Sequence, residues 1–238
     1  MSKNKIVGVF NFKGGVGKTF ISSHILFSLN ENYLNENTEY KICGFDTDTQ
    51  ADLMKWASRG KWDRQSPDFE VNERFKLIWL EHPMVKSGGY PLPTDGIIII
   101  DGRPDLLILN EILPHLDILL IPMKGKLSLD SAFAVRDVIN QVKEYKKRIK
   151  IFGIRNEILP LRVLASRQEK ILFGVLEMNI FKYGITHSTL VRQAEEGYCP
   201  VWELPNYNPN STVRFTIQQI CEFILDKVEE WKIVYERV

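Results

Sequence analysis

The feature that most constrains this chain lies near its start, between an apolar strand at Lys5–Asn11 and a helix running to about Asn30. There the sequence reads Phe12-Lys13-Gly14-Gly15-Val16-Gly17-Lys18-Thr19. Glycines let successive main-chain N–H groups converge on an anion, and the N-terminus of the following helix adds partial positive charge. Strand, glycine-rich loop and helix in that order are the pattern of a phosphate-binding loop. In such a loop Lys18 reaches the β- and γ-phosphates and the Thr19 hydroxyl ligates Mg2+. The general pattern asks for glycine at position 12, where Phe12 stands, so the strict form fails by one residue.

The order of elements downstream predicts a fold. Strands are expected at Lys41–Asp46, Ile97–Asp101, Asp117–Met123 and Ile149–Asn156. Helices are expected at about Leu127–Lys146, Ser166–Met178, Thr189–Glu196 and Thr212–Tyr235, from apolar residues at helical spacing. The run of four isoleucines ending on Asp101 suits a strand covered on both faces. Strands alternating with helices give an α/β class, a mostly parallel, doubly wound sheet flanked by helices, read as one domain over residues 1–238. The ligand crevice of such a sheet lies beyond the carboxyl ends of its strands. The glycine-rich loop, Asp46 and Asp101 all fall at strand ends. The stretch Ser58–Pro93 shows no pattern regular enough to assign.

Composition removes several function classes. The chain has 238 residues with 31 Lys+Arg and 30 Asp+Glu, 44% hydrophobic and 26% charged. That is an ordinary globular balance, with no bulk charge to argue for a polyanion partner. Cys43, Cys199 and Cys221 are odd in number and far apart, so neither a disulfide scaffold nor a zinc ribbon is expected; buried apolar roles and a reducing compartment fit. No apolar run approaches the ~18 residues that span a bilayer. Ile6–Phe10 is too short for a secretory signal. A cytoplasmic protein without stable membrane insertion is expected.

The second lysine in Lys13-Gly14-Gly15-Val16-Gly17-Lys18-Thr19 resembles the deviant Walker A loop of the ParA/MinD family of P-loop ATPases. The resemblance extends over most of the chain. It implies a P-loop NTPase fold, ATP and Mg2+ as ligands, and a homodimer formed on ATP, in which Lys13 contacts the partner's nucleotide. Gly14, Gly15, Val16, Gly17, Lys18, Thr19 and Phe20 would form the nucleotide loop. Phe45-Asp46-Thr47-Asp48-Thr49-Gln50 looks like switch I, placing Asp46 near the Mg2+ shell and Asp48 on the attacking water. Ile97–Asp101 looks like Walker B, with Asp101 holding Mg2+ through water. Asn156 matches a frequent adenine contact, and Gly197–Ser211, with Pro205 and Asn206, resembles the loop that closes over the base. Departures are Thr49 for proline, Gly102-Arg103 after Asp101, and Phe20 for a hydroxyl residue. Arg103 is expected to pair with Asp105 or to meet a partner.

Within the family, cysteine spacing argues against iron–sulfur members and the lone Tyr235 against tyrosine kinases. Glu222, Asp226, Glu229 and Glu230 argue against a membrane-binding last helix. The remaining branch implies slow ATP hydrolysis, stimulated by a ParB-like or other cargo-bound adaptor, and nucleoid association through nonspecific DNA. Candidate phosphate contacts are Arg192, Arg214 and Lys227, and the run Lys143, Lys146, Lys147, Arg148 and Lys150 is the densest basic stretch. A positioning or conjugation-accessory ATPase for another cargo, or a membrane-surface regulator, stays open as an alternative.

Overall fold

Ile97–Asp101 lies inside the sheet, with a parallel neighbour on each side and all five residues buried. A strand with neighbours on both edges and packing on both faces has no side open to water, which is why every position but the last is isoleucine. The computed structural model describes residues 4–33, 41–93, 96–124, 136–138, 140, 149–156, 178–181, 183–186, 188–208, 211–225 and 235–236.

Among these residues the strands are β1 (Lys5–Val9), β2 (Ile42–Asp46), β3 (Asp68–Asn72), β4 (Phe75–Trp79), β5 (Ile97–Asp101), β6 (Ile118–Lys124), β7 (Lys150–Asn156), β8 (Asn179–Phe181) and β9 (Tyr235–Glu236). The helices are α1 (Lys18–Ser28), α2 (Asp52–Ala57), α3 (Pro83–Lys86), α4 (Leu106–Ile112), α5 (Thr189–Gly197) and α6 (Thr212–Ile224). One sheet holds these strands in the order β3-β4-β2-β5-β1-β6-β7-β8-β9. β3 and β9, at the two edges, are antiparallel and the other pairings are parallel.

Period-two alternation divides the core. Val7, Val9, Ile97 and Ile99 pack with α1, α2 and α6, while Ile98, Ile100, Leu119 and Ile121 pack with Leu109 of α4 on the other face. This is the doubly wound sheet expected from the sequence. Register sets the strand ends level: Val9 and Asp46 both pair with Asp101. The loop after β1 and the acids ending β2 and β5 therefore share one crevice.

Two segments differ from the sequence reading. Ser58–Pro93, unassigned there, contains β3, β4 and the short α3, which extend the sheet beyond β2. Its half-exposed edge strand has too weak an apolar alternation to stand out. The helix expected over Thr212–Tyr235 closes at Ile224, where the Lys5 ammonium donates to the Ile224 carbonyl at 2.6 Å. Tyr235 instead pairs with Phe181, covering the edge of β8. Most of the expected helices over Ser166–Met178 and Leu127–Lys146 lies outside the described residues. Cys43 and Cys221 are buried and Cys199 half-buried, all as free thiols.

Helix α1 is anchored to a late loop through His24, which is fully buried. Nδ1–H donates to the Phe20 carbonyl at 2.7 Å, and Nε2 accepts from the Val201 N–H at 3.2 Å. The ring stacks at 4.0 Å from Phe20 and meets Trp56 and Trp202. Burial lowers its pKa from 6.5 to about 3, against the small opposing pull of the Phe20 carbonyl. The folded state thus binds this proton less readily than the unfolded chain. The resulting stability is complete above pH 6.5 and is lost progressively as pH falls toward 3. Urea denaturation is expected to find the protein less stable at pH 5 than at pH 7.5, with on the order of 2 kcal/mol due to His24. His24→Gln, which keeps a donor and an acceptor but does not titrate, should flatten that dependence.

Candidate nucleotide site

Asn11, just past β1, sets the entry to the loop. Its Nδ2 donates to the Pro122 carbonyl at 2.8 Å, and its Oδ1 accepts from the Lys13 N–H at 2.9 Å. The turn at Lys13 is thereby moored to β6. Gly15 and Gly17 follow at φ 67° and 89°, in the left-handed region. A Cβ at Gly17 would collide with the Asn156 Nδ2, so glycine is required there on two grounds. Gly17 provides no side-chain cap for α1, and the first turn holds no acidic residue. The helix therefore offers its first N–H groups to an anion.

Asp101 closes the crevice from β5. Its carboxylate accepts from Thr19 Oγ1 at 2.7 Å and from Ser22 Oγ at 3.1 Å, with 4% of the residue exposed. Burial raises its pKa, while Thr19, Ser22 and the Lys18 ammonium favour the charged form. Lys18 donates to the Lys13 carbonyl at 3.3 Å. Desolvation lowers its pKa, and Asp101 and Asp48 offset that. A buried carboxylate beside a hydroxyl is a hard oxygen pair of the kind Mg2+ takes when phosphates and water complete its shell.

This geometry coincides with a sequence match: residues 7–226 fit the CobQ/CobB/MinD/ParA nucleotide binding domain. The chain belongs to that family. It is 22% identical over 201 residues to the Maintenance of carboxysome distribution protein A of Halothiobacillus neapolitanus, covering 80% of this chain and 87% of the relative. Its fold is similar to an ATP complex of Cyanothece McdA, with TM-score 0.66, 16% identity and coverage of 95% and 98%. It is also similar to a Borrelia burgdorferi B31 protein assigned to plasmid partition and bound to AMPPNP, with TM-score 0.63, 20% identity and coverage of 95% and 100%.

With the family established, each expected site residue can be located. Lys13, Gly14 and Gly15 are exposed at the mouth of the crevice and Val16 is buried. Phe20 is buried in the core against His24, so only its main chain can serve a nucleotide. Asp46 was expected near the Mg2+ shell. It is fully buried beside Asp101 across the β2–β5 pair, with Oδ1 accepting from the Asp48 N–H at 2.8 Å and Oδ2 from the Met54 N–H at 3.1 Å. Desolvation and the neighbouring Asp101 raise its pKa. Asp46 thus shapes the loop after β2 and caps α2 from outside the helix. Asp48 is half-exposed, its Oδ1 accepting from the Gln50 N–H at 3.0 Å. Asn156, expected against adenine, lies buried beneath the loop and donates to the Val16 carbonyl at 3.0 Å.

Pro205 and Asn206 occupy an exposed turn after Val201–Glu203. That region is tied to α1 by His24 and by the Trp202 Nε1–H, which donates to Glu31 at 2.7 Å. It is tied to the end of α2 by the two-pronged Arg59–Glu203 pair at 2.5 and 2.6 Å. Arg192 is exposed and pairs with Glu196 at 3.0 Å, and Arg214 is half-buried on α6. Lys150 lies over the Phe223 ring. Lys227, Lys143, Lys146, Lys147 and Arg148 lie outside the described residues. Arg103 pairs with Asp105 at 2.7 Å, the first of its two expected contacts.

Sequence reasoning missed Thr47 and Ser22. The buried Thr47 hydroxyl donates to the Asp101 carbonyl at 2.8 Å and accepts from the Arg103 N–H at 2.7 Å, joining the ends of β2 and β5. Ser22 stands one turn beyond Thr19 and so shares its helix face, a spacing that could have found it. Thr47→Val is expected to cost roughly 1–3 kcal/mol in urea denaturation, because the Arg103 N–H loses its acceptor. Gly17→Ala should abolish detectable ATP and ADP binding by calorimetry while the far-ultraviolet circular dichroism stays that of a folded α/β protein.

Proposed function

We propose that this chain is an ATPase that dimerises on ATP, binds nonspecific DNA in that state, and partitions or positions plasmid or chromosome DNA. A cargo-bound adaptor of the ParB-like kind stimulates hydrolysis, and the protein works in the cytoplasm on the nucleoid. The observation that carries the nucleotide chemistry is the uncapped start of α1 with Thr19 bonded to buried Asp101 and Lys18 alongside.

Thr19 and, through water, Asp101 would hold Mg2+; when bound, it neutralises charge on the β- and γ-phosphate oxygens. Lys18 adds positive charge from within the subunit. Lys13, exposed at the mouth of the crevice, is placed to do so for a facing subunit. Asp48 accepts a hydrogen bond from the attacking water and orients it. Tying an ammonium group to the partner's phosphates makes assembly depend on the nucleotide state.

The positioning role draws support from the relatives, one named for carboxysome distribution and one assigned to plasmid partition. The former keeps a non-DNA cargo as the second reading. Of the candidate cations for DNA phosphates, Arg192, Arg214 and Lys150 lie among the described residues. Among the described residues no helix is long and apolar enough to cross a membrane.

Lys18→Ala is expected to lose ATP binding. Asp48→Ala is expected to bind ATP and dimerise by light scattering, yet to release phosphate about 100-fold or more slowly than the parent. Parent-like turnover in that variant would remove Asp48 from the mechanism. Mobility shift and liposome sedimentation, each with and without ATP, decide the surface: retention on anionic lipid but not on DNA reverses the DNA assignment.

A further inference from the structure

The carbonyls of Asp48 and Thr49 are each held by a side chain from the segment that follows α2. Trp79, the last residue of β4, donates from Nε1 to the Asp48 carbonyl at 2.8 Å. Arg64 donates from Nη2 to the Thr49 carbonyl at 2.8 Å. The two grips are one assembly, since the Arg64 guanidinium sits 5.3 Å from the Trp79 ring centroid. Trp62 and His82 meet the indole at 5.6 and 5.7 Å, fixing its plane. The Trp62 indole in turn donates to the Ser66 carbonyl at 3.1 Å.

Strand register places this assembly where it can act. Trp79 pairs with Asp46 across β4 and β2, so it stands level with the residue from which the switch loop departs. The same Asp48 carbonyl accepts from the Ala51 N–H at 3.1 Å, while its carboxylate accepts from Gln50. The turn ends at Ala51, a non-glycine residue at φ 55°. A residue held there requires surroundings that over-determine its conformation. The indole and the guanidinium provide them, at a loop where Thr49 contributes no ring constraint of its own.

We propose that Trp79 and Arg64 are positioning residues: by holding two successive carbonyls they fix the turn that aims the Asp48 carboxylate. The role rests on the reading of Asp48 given above, and neither residue needs to touch the nucleotide.

The test uses Trp79→Phe, which keeps an aromatic ring and removes the donor, and Arg64→Met, which keeps an unbranched stem and removes the charge. Arg64 is exposed, so Arg64→Met decides if Trp79→Phe does not fold. Steady-state ATP turnover should show kcat lowered about three- to tenfold in each variant, the range expected for one lost hydrogen bond. KM for ATP and calorimetric ADP affinity should stay within about twofold of the parent, and amide hydrogen exchange at Gln50 and Ala51 should quicken. Unchanged kcat in folded Arg64→Met overturns the proposal, as does a loss of ADP affinity parallel to the loss of turnover, or unchanged exchange at those amides. Parent-like turnover in Asp48→Ala would instead sink the assignment of Asp48, and the exchange measurement would still report on the clamp.

Discussion

A carboxylate buried at the end of an apolar strand must find compensation, and at Asp101 that requirement organises the crevice. The group is taken out of water by β1, β2 and α1, and it is kept there by Thr19 and Ser22, with the Lys18 ammonium near enough to favour its charge. Each of those groups comes from the first two turns of α1, so the helix cannot rotate or slide without abandoning a buried charge. The glycine-rich loop is thereby held between two fixed points, Asn11 on the β1 side and Thr19 on the α1 side. A loop of such composition is otherwise free to adopt many conformations.

The loop after β2 is wired to the same centre. Asp46 fixes the path of residues 48 to 54 from below, and Thr47 joins that path to Asp101 and Arg103. Trp79 and Arg64 hold it from the far side. Thr49 contributes no ring constraint of its own to this loop. The loop is held by side chains that approach from the segment before β3 and from β4, 15 and 31 residues away in sequence. A nucleotide that altered Asp48 would also be felt by the aromatic cluster under it.

The late loop forms a second set of ties. Val201, Trp202 and Glu203 bond respectively to His24, Glu31 and Arg59, which belong to α1, the turn after it and the end of α2. Helix α1 therefore carries the glycine-rich loop on its first turn and the late loop on its side. The pairings of Arg59 and Glu31 are surface ones and contribute modestly. The His24 bridge is buried and contributes more, because an unmet N–H or carbonyl there would have no water to turn to.

Much of the fold and the residues of the candidate nucleotide loop were legible in the chain. Strand patterns at β1, β2, β5, β6 and β7, the glycine spacing, and Asp101 after four isoleucines are local signals, because covered strands and anion loops demand particular residue types at adjacent positions. What the chain alone did not disclose were partnerships across the sheet. Asp46 and Asp101 look alike in sequence, each an acid ending an apolar strand. Tertiary structure gave one to main-chain N–H groups and left the other beside Thr19 and Lys18. Asn156, Thr47, Trp79 and His24 owe their roles to register and to the order of strands, which bring residues dozens of positions apart within hydrogen-bonding distance. A hydrogen bond depends on where two groups end up in space, whereas periodicity and turn chemistry depend on neighbours along the chain, and only the latter are written in consecutive residues.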